Sequence, residues 1–218
     1  GYSEPARWNK LVVAPIWLRD RFIALIDREI AHAKEGKEAY IVAKMNSLCD
    51  RQIIEKLYEA SSVGVEIYLV IRGICCLRTG IPGVSEHIHV TSIVGTFLEH
   101  SRIFYFYNNG QEDIYMGSAD WMPRNLDRRV EIVFPVEDDV IKDRIKHILD
   151  VLLRDNLKAY AMLPDGTYAK MSRRGKQAIG AQMTFCREAM EGAKEETTVW
   201  KGRRFIPIWA FDEEEHEA

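Results

Sequence analysis

The feature that most constrains the fold of this chain is an alternation of apolar strands and amphipathic helices near its beginning. Apolar, β-branched runs predict strands, and apolar residues at helical spacing predict the helices between them. We predict strands at residues 10–15, 39–43 and 65–71 and helices at 17–34 and 50–61. Short connections between alternating elements are typical of crossover units, in which helices cover a parallel sheet. The chain is therefore predicted to be α/β, with a mixed, largely parallel sheet flanked by helices.

The rest of the chain continues this pattern with more turns. Residues 72–85 hold three Gly and one Pro, which predicts a loop at the carboxyl end of a parallel strand, where open α/β sheets bind ligands. Further predicted elements are a strand at 87–91, a helix at 92–98, hairpins at 102–116 and 160–171, a strand at 129–136 and a helix at 138–156. We predict one domain over residues 1–192 and an extension over 193–218 that ends in a disordered acidic tail.

Charge and cysteine content narrow the classes of partner. With 30 Lys plus Arg against 33 Asp plus Glu, the formal net charge is -3, so nucleic acid is not among the expected partners. The acidic tail contributes to this total, which therefore does not exclude a phosphate-rich ligand. No run approaches the roughly 18 apolar residues of a membrane-spanning helix. The four cysteines form no CxxC pair, so we expect reduced thiols and a cytoplasmic protein.

Two histidines alternate along a predicted strand. His87 and His89 would share one face of the strand, which is half of what a metal site needs. Because no nearby Cys or third His completes the set, no metal ligand is assigned.

His100 is the first candidate catalytic residue. It lies between the predicted helix at 92–98 and the aromatic, β-branched run at 103–107, so a rigid frame would hold it near the mouth of the sheet. An imidazole there can attack phosphorus, protonate a leaving oxygen or bind a phosphate when cationic. Arg102 follows two residues later and would project from the same face of the strand, as a fixed cation beside the proton-transfer group.

A second polar cluster follows the first hairpin, over residues 117–129. Asp120 could orient an imidazolium, and Arg124, Arg128 and Arg129 carry forked donors that suit phosphate oxygens. The alternative is that these acids and arginines form internal salt bridges that lock a loop. Two arginines of the loop at 72–85, Arg72 and Arg78, have the same two interpretations. The chain has no GxxxxGK[ST] motif, so side chains, and not a P-loop, would hold any nucleotide.

Several of these stretches together resemble one family. They are residues 44–48 (KMNSL), 71–78 (IRGICCLR), 92–95 (SIVG), 97–106 (FLEHSRIFYF), 118–122 (SADWM) and 124–129 (RNLDRR). Over about residues 10–187 the chain resembles the C-terminal catalytic domain of the long-form polyphosphate kinases. The resemblance implies a phospholipase D-like fold. It also implies reversible transfer of the terminal phosphate of ATP to inorganic polyphosphate, with ATP or ADP and Mg2+ required.

The resemblance also implies roles for particular residues. His100 matches the second active-site histidine of the family, and Arg72, His100 and Arg129 match positions that contact the nucleotide or its phosphates. The phosphorylated histidine and the Mg2+ positions belong to the earlier of two similar domains, which has no counterpart here. Compared with the phospholipase D pattern, His-x-Lys followed by Gly-Ser-x-Asn, Arg102 replaces the Lys and Asp120 the Asn. These departures fit a kinase better than a phosphodiesterase.

A basic stretch and the expected partners complete the interpretation. Arg173, Arg174 and Lys176 either guide a polyphosphate chain or form a solvated surface. The resemblance implies that upstream domains of the same enzyme complete the site and that the full-length enzyme is a homo-oligomer. It also implies a cytoplasmic location, including a peripheral place at the inner membrane. Two alternatives remain: a phospholipase D-like phosphodiesterase acting as a homodimer, and a non-catalytic anion-binding module.

Overall fold

A nine-stranded sheet forms the centre of the protein in a computed structural model, which describes residues 8–195. Its strands are β1 (Val12–Ala14), β2 (Tyr40–Met45), β3 (Glu66–Ile71), β4 (Ile88–Ile93), β5 (Ile103–Phe106), β6 (Asp113–Gly117), β7 (Glu131–Val136), β8 (Ala159–Met162) and β9 (Tyr168–Lys170). The helices are α1 (Leu18–Lys34), α2 (Arg51–Ser62), α3 (Pro123–Asp127), α4 (Asp139–Leu153) and α5 (Ala181–Glu195). In the described part of the chain, no helix is long and apolar enough to cross a membrane.

The strand order is β1-β7-β6-β5-β2-β3-β4-β8-β9. Strands β2, β3 and β4 are parallel, and the other six pairings among the described residues are antiparallel. The predicted class, a mixed α/β sheet flanked by helices, is confirmed. The prediction that the sheet is largely parallel is wrong, because short hairpin connections join β5 to β6 and β8 to β9, and such connections link antiparallel neighbours.

The first strand lies at an edge of the sheet and not beside β2. Strand β1 pairs antiparallel with β7, with Val12 opposite Val133. The antiparallel strands β5, β6 and β7 separate it from β2. The structure therefore confirms one predicted crossover unit, the segment from β2 through α2 to β3. Its two strands are parallel neighbours in the sheet.

Helices cover both faces of the sheet. One face packs against α1 and α2 through residues such as Ile41, Phe104 and Trp121. The other face packs against α4, and Ile145 and Leu149 of this helix form part of a second apolar cluster there. Alternating strand residues supply the two faces because successive side chains of a strand point to opposite sides.

The predicted helix at residues 92–98 is wrong. Strand β4 continues to Ile93, since Thr91, Ser92 and Ile93 pair with β8. The chain then runs in irregular structure up to β5. Here the Phe97 amide donates to Gln182 Oε1 at 3.0 Å, and Gln182 Nε2 donates to the Phe97 carbonyl at 2.8 Å. Pairing with the Gln182 side chain thus replaces the hydrogen bonds of a helix.

The chain divides after Thr184 into two compact units. The first holds the sheet with helices α1–α4, and the described part of the second continues α5 to Glu195. The domain boundary predicted at residue 192 stays a prediction, and the acidic tail at 212–217 lies outside the described residues.

Candidate functional site

The candidate residues gather at one end of the sheet, which we call the site edge. Strands β2, β3, β4 and β6 point toward this end, and β5 and β7 start from it. Arg72 therefore follows β3, His100 precedes β5, Asp120 follows β6 and Arg129 precedes β7. Strand β5 lies two strands from β3 and two strands from β7, and neighbouring strands are about 4.8 Å apart, so both of those strands lie about 10 Å from β5.

Arg102 and Asp120 form a buried ion pair at the centre of the site edge. Arg102 Nε donates to Asp120 Oδ1 at 3.0 Å and Arg102 Nη2 donates to Asp120 Oδ2 at 3.2 Å. The amide of Asn46 donates to Asp120 Oδ1 at 2.8 Å. Arg102 is 9% exposed and Asp120 4%, so both groups are used in holding three segments together. This supports the internal salt bridge for these two residues, and Arg102 does not face solvent beside His100.

His100 is exposed, although its backbone is held in place. Arg102 Nη1 donates to the His100 carbonyl at 2.8 Å, and the buried amine of Lys44 donates to the next carbonyl, that of Ser101, at 3.0 Å. An imidazole on a fixed backbone with an open face is suited to proton transfer to a bound ligand.

Arg72 supplies a cationic group that no carboxylate of the described residues neutralises. Its amide donates to the Met45 carbonyl at 3.3 Å, and its carbonyl accepts from Ser92 Oγ at 3.4 Å, so its backbone is anchored between β2 and β4. Among the described residues, no carboxylate lies within 4.0 Å of its guanidinium. Its forked donors are therefore available to an anion.

The segment at 117–131 presents its arginines outward and fixes its own interior. The carboxylate of Glu131 accepts hydrogen bonds from Ser118 Oγ and Asn125 Nδ2. Arg124, Arg128 and Arg129 are all exposed. The pKa of Asp127 is lowered by its hydrogen bond from Arg19 and, to a smaller extent, by the charge of Arg128. The exposed arginines of this segment thus differ from the buried Arg102.

The structure separates Arg78 from Arg72, which the sequence could not do. The long loop after β3 crosses to the opposite end of the sheet, where Arg78 lies beside Gly166 in the β8–β9 turn. In contrast to Arg78, the basic stretch follows a strand that ends at the site edge. Strand β9 ends there, and Arg173, Arg174 and Lys176 follow it, all exposed.

Comparison with known proteins gives the family. Residues 11–182 match the model of the polyphosphate kinase C-terminal domain 2. The chain belongs to the polyphosphate kinase family. The predicted family is therefore confirmed. The polyphosphate kinase of Thermosynechococcus vestitus is 56% identical over 168 residues, which cover 77% of this chain and 23% of that protein. That of Synechocystis is 51% identical over 197 residues, 90% of this chain and 27% of that protein.

A solved polyphosphate kinase has the same fold. The structure of the Porphyromonas gingivalis enzyme superimposes with a TM-score of 0.84 and is 42% identical, covering 89% of this chain and 30% of that one. This chain thus spans roughly a quarter of the length of the curated polyphosphate kinases that it matches.

The Cys49 thiol and the clusters of metal-ligating side chains were the other candidate reactive groups of this polyphosphate kinase domain. Burial, with the neighbouring Cys76 thiol, raises the pKa of Cys49 to about 12, so this thiol is a poor nucleophile at neutral pH. Among residues 8–195, no three His, Cys, Asp or Glu side chains are placed to hold a metal ion. We derive no step through a Mg2+ ion.

Sequence reasoning gave no role to three residues of the polyphosphate kinase site edge. They are Lys44, Asn46 and Glu131, whose contacts join separate segments. One signal was present in the sequence: Lys44 is the single charged residue of the strand Tyr40–Met45. A charge within an apolar run that is buried on both faces needs a partner.

Proposed function

We propose that this chain is the C-terminal part of an ATP:polyphosphate phosphotransferase, which reversibly transfers the terminal phosphate of ATP to inorganic polyphosphate. The observation that carries the proposal is the site edge itself. It combines the unneutralised guanidinium of Arg72 with the exposed imidazole of His100 on a fixed backbone. The family membership and the arginines on both sides of His100 support it.

The proposed reaction divides between this chain and the upstream domains. A histidine of an upstream domain attacks the γ-phosphorus of ATP, a nitrogen–phosphorus bond forms, and the bond to the bridging oxygen of ADP breaks. The terminal oxygen of polyphosphate then attacks the same phosphorus, an oxygen–phosphorus bond forms, and the nitrogen–phosphorus bond breaks, which frees the histidine. Positioning and electrostatic stabilisation dominate such transfers. Arg72 and Arg129 stabilise charge on the phosphoryl oxygens, and His100 protonates or stabilises the leaving phosphate.

The remaining partners follow from the same proposal. Mg2+ would be held mainly outside this chain, with ATP. Arg173, Arg174 and Lys176 would guide the polyphosphate chain toward the site edge, where they are exposed. The full-length enzyme would be a cytoplasmic homo-oligomer, and this chain alone would bind nucleotide weakly and transfer no phosphate.

Replacing Arg72 with methionine tests the phosphate site. We expect the variant of the 218-residue chain to bind tripolyphosphate about 10–100-fold more weakly in isothermal titration calorimetry. A hydrogen bond to a charged group contributes about 1.5–3 kcal/mol, and about 1.4 kcal/mol corresponds to a factor of ten.

Arg78→Met is the matched control, because this arginine is exposed in the same loop but lies at the opposite end of the sheet. It should bind tripolyphosphate as the unchanged chain does. Equal losses in the two variants would show non-specific attraction to positive charge, and would count against the proposal.

A further inference from the structure

Lys44 is a buried amine in the central strand β2. It is 3% exposed and lies opposite Ile103 of β5 and Val70 of β3. Its Nζ donates to the Ser101 carbonyl at 3.0 Å and lies 3.6 Å from Glu99 Oε2. Both partners belong to the irregular segment that carries His100, so the amine connects the rigid sheet to that segment.

The surroundings of Lys44 disfavour its charge. Burial lowers the pKa of Lys44, the Glu99 carboxylate acts in the opposite direction, and the cations Arg72 and Arg102 lower the pKa further. A pair of charges removed from water often stabilises a fold less than apolar residues of similar volume. A charged Lys44 therefore depends on Glu99 and on the Ser101 carbonyl to offset its removal from water.

The contacts around His100 indicate what this buried amine does. The carbonyls of His100 and Ser101 each accept a hydrogen bond from a buried cationic side chain, Arg102 and Lys44 respectively. Glu99 also accepts from Gln182 Nε2 at 2.9 Å. The segment at 99–102 is thus held on both sides of an exposed imidazole, although it has no regular secondary structure.

We propose that Lys44 is a positioning residue, which fixes the His100 segment at the site edge and adds its charge to that of Arg72. This inference rests on the proposed phosphate site for its functional half. Lys44 does not contact the ligand. It acts through the Ser101 carbonyl and through the positive field in which Arg72 receives an anion.

Lys44→Met separates this role from a purely structural one. Methionine keeps the length of the side chain and removes the charge. We expect the midpoint of urea unfolding of the 218-residue chain to fall, because the Glu99 carboxylate and the Ser101 carbonyl lose their partner. Hydrogen–deuterium exchange at the amides of residues 99–102 should increase, and tripolyphosphate should bind about tenfold more weakly. Lys44→Arg, which keeps a cationic donor, should recover part of the affinity.

Lys56→Met is the control, since Lys56 is also an ion-paired lysine but lies on helix α2, where it pairs with Asp27 and Glu59. It should leave exchange at 99–102 and tripolyphosphate binding unchanged. A Lys44→Met protein that exchanges residues 99–102 as the unchanged chain does would overturn the inference. If the unchanged chain bound no tripolyphosphate, the proposed function would fail, while exchange at 99–102 would still decide the positioning role.

Discussion

Replacing His100 with glutamine is expected to slow phosphate transfer by about 10²–10⁴-fold in the longer enzyme that contains this domain. Proton transfer by a positioned side chain contributes a factor of this size, and an amide cannot supply the proton. Because His100 is exposed, the change should leave the unfolding midpoint as it is. The measurement is the rate of polyphosphate formation from ATP at saturating substrate, with the unfolding midpoint followed in parallel.

His89→Gln is the control for this experiment. His89 is an exposed imidazole of the same domain that stacks on Tyr68 near the opposite end of the sheet. We expect the control to retain the full rate. A His100→Gln enzyme that kept more than about a tenth of the rate would remove this residue from the proton-transfer role.

Replacing Asp120 with asparagine is expected to lower the free energy of unfolding of the 218-residue chain by about 3–5 kcal/mol. The substitution leaves the guanidinium of Arg102 buried without its counter-charge. In the unchanged chain this guanidinium donates to the Asp120 carboxylate at 3.0 and 3.2 Å. It also weakens the acceptor of the Asn46 amide. Urea denaturation followed by circular dichroism measures the effect.

A double substitution tests whether the ion pair is the cause. Adding Arg102→Met to Asp120→Asn removes the uncompensated charge. The double variant should therefore lose less free energy of unfolding than the two single variants lose in sum. Glu55→Gln, which breaks the exposed pair of Arg51 and Glu55, should change stability little. Additive losses for Arg102 and Asp120 would show that their proximity has no energetic consequence.

Local chemistry in the sequence predicted most of the elements. Helices α2 and α4 start where Asp50 and Asp138 cap them, each carboxylate accepting from the amide three residues later. The Asn-Gly and Asp-Gly turns mark the hairpins of β5–β6 and β8–β9. These signals are local, because each depends on side chains that act on their own backbone.

Long-range contacts explain what the sequence could not show. The segment at 92–98 has apolar residues that suit a helix, yet pairing with β8 and with Gln182 decides its structure. Arg102 and Asp120 are 18 residues apart, and only the sheet order brings them together. The same order places Arg72 and Arg129 on either side of His100 and moves Arg78 to the far end.

The most direct test of the central claim, a phosphate site at the site edge, is an NMR titration of the 15N-labelled 218-residue chain with tripolyphosphate. The largest saturable shifts of backbone amides should fall at residues 72–76, 99–102, 117–121 and 128–131. Residues 84–89 and 163–167, at the opposite end of the sheet, should stay unchanged. Shifts concentrated at that opposite end, or none that saturate, would contradict the claim.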